Sequence, residues 1–159
     1  MPVPVRLSID GGTAITVPTS ASVIVQGTNS ASKPIRLKRI QLQSNQTGST
    51  QQVVQVQLVT YATGTSTGGT TPTAQPKDDG LVGVYTAATS FRAGTATMGT
   101  TPTNKAMWQW NTANPFDIVE GLEALQDEFG VSKVWALIIP TAPAASFSLT
   151  GILEFEEFG

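Results

Sequence analysis

The stretch VVQVQLVTY, Val53–Tyr61, repeats with a period of two: Val54, Val56 and Leu58 fall on one side, Gln55 and Gln57 on the other. A helix repeats every 3.6 residues, whereas successive side chains of a strand point to opposite faces. The pattern therefore predicts a strand with one dry and one wet face. The same period runs through Val3, Val5, Leu7 and Ile9, and through Ala106, Trp108 and Trp110 in KAMWQWN. TAITV, SVIVQ, VWALIIP and SFSLTGILEFEEF read as further strands, LVGVY to Phe91 as a weaker one. The intervening segments are rich in Gly, Pro and Thr, the residues of turns.

Two strands carry a change of phase. In PIRLKRIQLQ, Ile35 and Leu37 share one parity, Ile40 and Leu42 the other. A slip of one residue moves every later side chain across the sheet. A β-bulge near Lys38–Arg39 absorbs the extra residue and keeps all four apolar groups inward. Around Gly151, Phe147 and Leu149 give way to Ile152 and Phe155, which predicts a glycine bulge. At the N-terminus Pro2 and Pro4 cannot donate ladder hydrogen bonds, so residues 1–9 are expected as an extended arm or edge strand ahead of a single domain, 10–159. DGGT, Asp10–Thr13, reads as a tight turn, and residues 62–80 as a long loop.

One segment departs from the β period. In NPFDIVEGLEALQDEFG, Ile118, Leu122, Leu125 and Phe129 recur at helical spacing, Asn114 can cap, Pro115 suits the first turn and Gly130 the stop. A short helix near residues 117–129 follows. The predicted fold is all-β: an antiparallel β-sandwich, jelly-roll-like, with that one helix.

Composition fits. Charged residues are 13% of the chain, and 23 threonines, 12 serines and 11 glutamines supply neutral polarity instead. About 25% charge is typical. A surface of this kind suits a protein packed against neighbours. Charge is also segregated: residues 1–116 carry a net +5 and residues 117–159 a net −7, which reads as two solvated faces or a head-to-tail contact between copies. No apolar run approaches the ~18 residues of a membrane helix, and the N-terminus has no apolar segment behind a basic start.

The absence of histidine and cysteine removes Ser-His and Cys-His nucleophilic catalysis, thiolate chemistry and histidine metal sites. No phosphate-cradling GxxxxGK[ST] occurs. Glu120 with Glu123, or Glu154 with Glu156, could form a glycosidase pair, but read as solvated carboxylates. Asp78 and Asp79 read as a turn rather than a calcium site. The chain is expected to be no enzyme and to need no cofactor or metal. Lys33, Arg36, Lys38 and Arg39 make a basic cluster without interleaved aromatics, a poor nucleic-acid signal and an equally good contact for an acidic protein face. Trp108 and Trp110 read as core, with a sugar-stacking platform as the alternative.

Taken in order, IRLKRIQLQSN, the Val/Gln strand opening into a Gly/Thr-Pro loop, WQWNTANPF and above all TAPAASFSLTGILEFEE resemble a family of small virion structural proteins of tailed bacteriophages. The similarity covers the chain from about residue 30 to the end. It implies a non-enzymatic jelly-roll subunit that decorates or cements the capsid. Its implied partners are the major capsid protein and copies of itself, as a homotrimer. The virion surface is the implied location, after assembly in the host cytoplasm. The alternative is a glycan- or receptor-binding virion module in a head fibre or tail. Interface candidates are Val3, Val5 and Leu7 of the arm, Arg36, Lys38 and Arg39 of the basic cluster, and two Thr-Pro pairs, Thr71–Pro72 and Thr101–Pro102. Those pairs belong to a repeat: GTSTGGTTPT, Gly64–Thr73, and GTATMGTTPT, Gly94–Thr103, agree at eight of ten positions. Two copies are too few for a solenoid. They read as loops, and either share one rim or lie at opposite ends.

Overall fold

The computed structural model describes residues 2–10, 14–63, 69–77, 80, 90–96, 100–119 and 128–158. They form two antiparallel sheets facing each other across one apolar core. The first sheet contains β1 (Val3–Ser8), β2 (Ile15–Val17), β4 (Ile35–Ser44), β6 (Gln75–Pro76), β9 (Phe116–Val119), β10 (Glu128–Phe129) and β12 (Phe147–Glu157). Its order is β10-β4-β12-β1-β6, with β9 beside β10 along β4 and β2 beside β1 along β12. The second contains β3 (Ser22–Thr28), β5 (Val53–Thr63), β7 (Ser90–Ala96), β8 (Thr100–Asn111) and β11 (Val134–Ile139), in the order β7-β3-β11-β5-β8.

The period of two places the core. Val54, Val56 and Leu58 are buried while Gln55 and Gln57 stay half-exposed. In β4 the register against β12 shifts between Glu154 and Phe155: Arg39 faces Glu154, Leu37 faces Phe155, and Lys38 is the extra residue. Ile35, Leu37, Ile40 and Leu42 are consequently all buried, as a bulge at Lys38–Arg39 predicts. No shift occurs at Gly151. Phe147, Leu149, Leu153 and Phe155 keep one inward parity through the glycine, and Ile152 turns outward. Gly151 serves close approach instead of a bulge: a Cβ there would lie 2.7 Å from the Gln41 carbonyl oxygen and 2.8 Å from Leu42 Cδ2.

The helix expected over 117–129 is replaced by strand at both ends. Phe116–Val119 pairs with Leu42–Arg39, and Glu128–Phe129 with Arg36–Ile35. Phe116 and Phe129 gain burial against β4 and the core tryptophans, which outweighs weak local capping signals. Residues 120–127, with the middle of that segment, lie outside the described residues, as do Gly11–Thr13 and the LVGVY segment.

Trp135 anchors one end of the core. It stacks on Phe129 at 5.4 Å between ring centroids and meets Phe91 edge-on at 6.1 Å. Gly27 lies against its indole, where a Cβ would come within 2.4 Å of ring carbons. Asn29 completes the arrangement. Its Oδ1 accepts Trp135 Nε1–H at 3.1 Å, and its Nδ2 donates to the carbonyls of Phe129 and Gly130 at 2.8 and 2.9 Å. A second apolar cluster, Val23, Val59, Tyr61, Ala136 and Ile138, occupies the other face of the second sheet.

Candidate contact surfaces

The outward face of the first sheet holds most of the ordered charge. Arg6 and Glu154 are direct cross-strand partners, and so are Glu154 and Arg39. Arg6 Nη2 and Lys77 Nζ donate to the two carboxylate oxygens of Glu154, at 2.7 and 3.0 Å. Arg39 grips Asp117 with two parallel hydrogen bonds, 2.9 and 2.6 Å, and Lys38 lies 3.5 Å from Glu156. Arg36 stands over the Phe158 ring at 5.2 Å. Burial pushes the Glu154 carboxyl up, but the hydrogen bonds from Arg6 and Lys77 outweigh it and hold the group below its ordinary range. The Arg39 hydrogen bond does the same for Asp117, and Asp117 in turn raises Arg39.

This pairing explains the segregation of charge along the sequence. Basic residues on β1, β4 and after β6 meet acidic residues on β9 and β12 because those elements are neighbours in the sheet. Lys38 and Arg39 therefore already have intramolecular counter-charges, and Arg36 an aromatic face.

The remaining candidates are dispersed. Residues 3–8 form β1, hydrogen-bonded to β12 along its length and to β6 at Val5 and Arg6. Val5 and Leu7 are fully buried in this chain's own core, and Val3 packs against it. The two Thr-Pro pairs lie on different sides of the sandwich. Thr70 bridges to Ala93 of β7, Thr71 is exposed and Pro72 buried, and the chain passes on to β6, so this segment straps the β6–β7 side. Gly69 and Gly94, one from each repeat copy, meet there. Both have positive φ, 68° and 63°, and a Cβ on Gly69 would lie 2.2 Å from the Gly94 carbonyl oxygen. The second pair is strand rather than loop: Thr101, with φ 54°, and Pro102 are exposed on β8, where Pro102 pairs with Tyr61.

Trp108 and Trp110 face inward from β8, as their parity predicts. Trp110 is 2% exposed and donates Nε1–H to the Asn114 carbonyl at 2.8 Å. Trp108 is half-buried, edge-on to Phe116 at 5.8 Å. Among the described residues no three carboxylates converge as metal ligands would.

A surface not singled out from the sequence lies on β5 and β8. Val53 and Met107 are 65% and 52% exposed. Between them Gln57 Nε2 donates to Gln55 Oε1 at 3.0 Å and approaches Met107 Sδ at 3.5 Å, with Gln109 opposite Gln55. This strip carries neutral amides and two exposed apolar side chains, and β8 ends the strand order with one edge unpaired among the described residues. Its legible signs were Val53 and Met107, apolar residues on the polar parity of their strands. Comparison with protein-family models, curated proteins and solved structures finds no match for this chain.

Proposed function

We propose that the protein is a non-enzymatic phage virion subunit that decorates or cements the capsid by contact with the major capsid protein and with copies of itself, as a homotrimer on the capsid surface. The observation carrying this reading is the long β8 edge with its neutral Val53–Met107 strip. An open edge of that length is a template for pairing with another chain, and its low charge lowers the desolvation cost of being covered. The strand orders support a jelly roll. After β1 and β2, the chain alternates sheets from β3 through β7, stays in the second sheet for β8, and alternates again through β9–β10, β11 and β12, leaving β1-β12-β4 and β3-β11-β5-β8 as the two sets of neighbours. The resemblance of the TAPAASFSLTGILEFEE segment to phage virion proteins points the same way.

The test is cosedimentation of the purified protein with undecorated heads. Saturable binding that Met107→Lys weakens supports the reading, because a charge is then buried in the contact. Absence of binding by the wild-type protein refutes it. One observation favours the second reading, a glycan- or receptor-binding module: Trp108 is only half-buried on β8, the last strand of its sheet among the described residues. Glycan-array binding abolished in a folded Trp108→Ala variant would select that reading instead.

A further inference from the structure

We infer that the notch between the two sheets on the β8–β10 side is a docking site for an extended acidic polypeptide segment, which adds as a strand to β8 and places a carboxylate between Lys105 and Lys133. The inference deepens the contact role proposed above by naming the chemistry of one contact. The notch has a volume of about 280 Å³ and is lined by Thr60, Thr103, Lys105, Phe129, Gly130 and Lys133, with Tyr61 beside them.

Its walls depart from the core pattern. Thr60 pairs with Trp135 on one side and Thr103 on the other, so both threonines share the inward parity of the second sheet. Elsewhere on these strands that parity carries Leu58, Ala106, Trp108 and Trp110. Hydroxyls here make the inner face polar where the cleft opens to solvent.

Two irregularities deliver the cations. The β5–β8 register shifts between Leu58, which faces Ala106, and Val59, which faces Asn104, so Lys105 is the extra residue of a bulge. Bulges on edge strands commonly re-aim a side chain in this way. Lys133 follows a turn whose Ser132 has φ 56° and whose backbone is held from the other side: Asn29 N–H donates to Lys133 O, and Ser132 N–H to Ser30 O. Among the described residues neither ammonium group has an ion-pair partner, whereas Arg6, Lys38, Arg39 and Lys77 do. Two cations with no ion-pair partner among the described residues, beside hydroxyl donors, recognise an anion. The backbone edge of β8, unpaired among the described residues, favours a polypeptide over a saccharide, because only a polypeptide can satisfy a row of strand N–H and C=O groups.

The test titrates the full chain, followed by NMR, with a short peptide of alternating threonine and glutamate, its glutamine twin and a uronic-acid oligosaccharide. The expected result is saturable binding of the glutamate peptide with hydrogen-exchange protection of alternate β8 amides. Lys105→Ala and Lys133→Ala each weaken it about threefold or more, while Arg92→Ala, on β7, leaves it unchanged. No saturable binding, equal binding of the two peptides, or preference for the oligosaccharide overturns the inference. Heads provide the separating arm. If wild type and the double lysine variant occupy heads equally, the notch assignment fails and the contact role stands. If neither binds heads, the contact role fails, and the peptide titration still decides the notch.

Discussion

Replacing Asn29 with alanine removes a buried amide that makes three side-chain hydrogen bonds: to Phe129 O, Gly130 O and from Trp135 Nε1–H. Each is worth about 1 kcal/mol net. Of the groups left behind, Gly130 is exposed and its carbonyl turns to water. Trp135, 0% exposed, and Phe129, 2%, have no such recourse, and each stranded polar group adds about 1 kcal/mol or more. The sum is about 5 kcal/mol, a large part of the ~5–15 kcal/mol that holds a typical domain together. Guanidinium unfolding read by tryptophan fluorescence should show a lower midpoint at unchanged slope, with the melting temperature down by roughly 10 °C. Asn29→Asp separates hydrogen bonding from shape. It keeps the acceptor for Trp135 but sets a carboxylate oxygen against two carbonyls, and should be at least as damaging as alanine. A loss below about 1 kcal/mol for Asn29→Ala, or wild-type stability for Asn29→Asp, would refute this account of how the 129–133 turn is held.

Deleting residues 1–9 removes Val5, Leu7 and Ile9, all 0% exposed, each contributing about 1.5–3 kcal/mol by burial. The truncated chain should lose cooperative thermal unfolding, and retention of a sharp transition near the wild-type temperature would show that β1 is dispensable. Gly27→Ala drives a methyl into the Trp135 indole and should cost about 1–3 kcal/mol with loss of near-ultraviolet circular dichroism; an unchanged spectrum and midpoint would contradict the packing described. Glu154 and Asp117 have folded-state pKa values below their unfolded ones, so their stabilisation is present above the ordinary carboxylate range of about 4 and is lost as pH falls through the folded values. The stability deficit of Glu154→Gln at pH 6 should therefore shrink in more acidic buffer, and a deficit constant with pH would mean that the ion pairs with Arg6 and Lys77 contribute nothing.

The ion pairs across β9, β4, β12 and β1 illustrate how sequence position misleads about charge. A chain whose two parts carry opposite net charge invites a reading of opposed surfaces. Here the acidic part supplies β12, which inserts between β4 and β1, and unlike charges become immediate neighbours. Exposed pairs of this kind contribute little stability singly, but they leave the face close to neutral and its cations engaged. Lys105 and Lys133 differ in lining one notch whose described walls include no carboxylate.

What the sequence determined by itself is local. The period of two in Val53–Tyr61 and Ala106–Trp110 specifies strands and their dry faces, because the alternation of side chains is a property of the extended backbone alone. The Lys38–Arg39 bulge was legible for the same reason: four apolar residues in two phases can share a core only if one residue is looped out. What only the tertiary structure decided concerns partners. Gly151 looked like a phase change; it is a point of contact with Gln41 and Leu42 that no periodicity encodes. Phe116–Val119 and Glu128–Phe129 carry helical spacing, but β4 offers them an edge and a core to cover, and burial outweighs propensity. The two copies of the repeated decapeptide diverge similarly. Gly69 and Gly94 meet on the β6–β7 side, while Thr101–Pro102 joins β8 at the opposite end of the strand order. Identical local sequence takes different structure because strand pairing is chosen by long-range neighbours. For the same reason the notch between Lys105 and Lys133, residues 28 positions apart in the chain, exists only once both sheets have closed over Trp135.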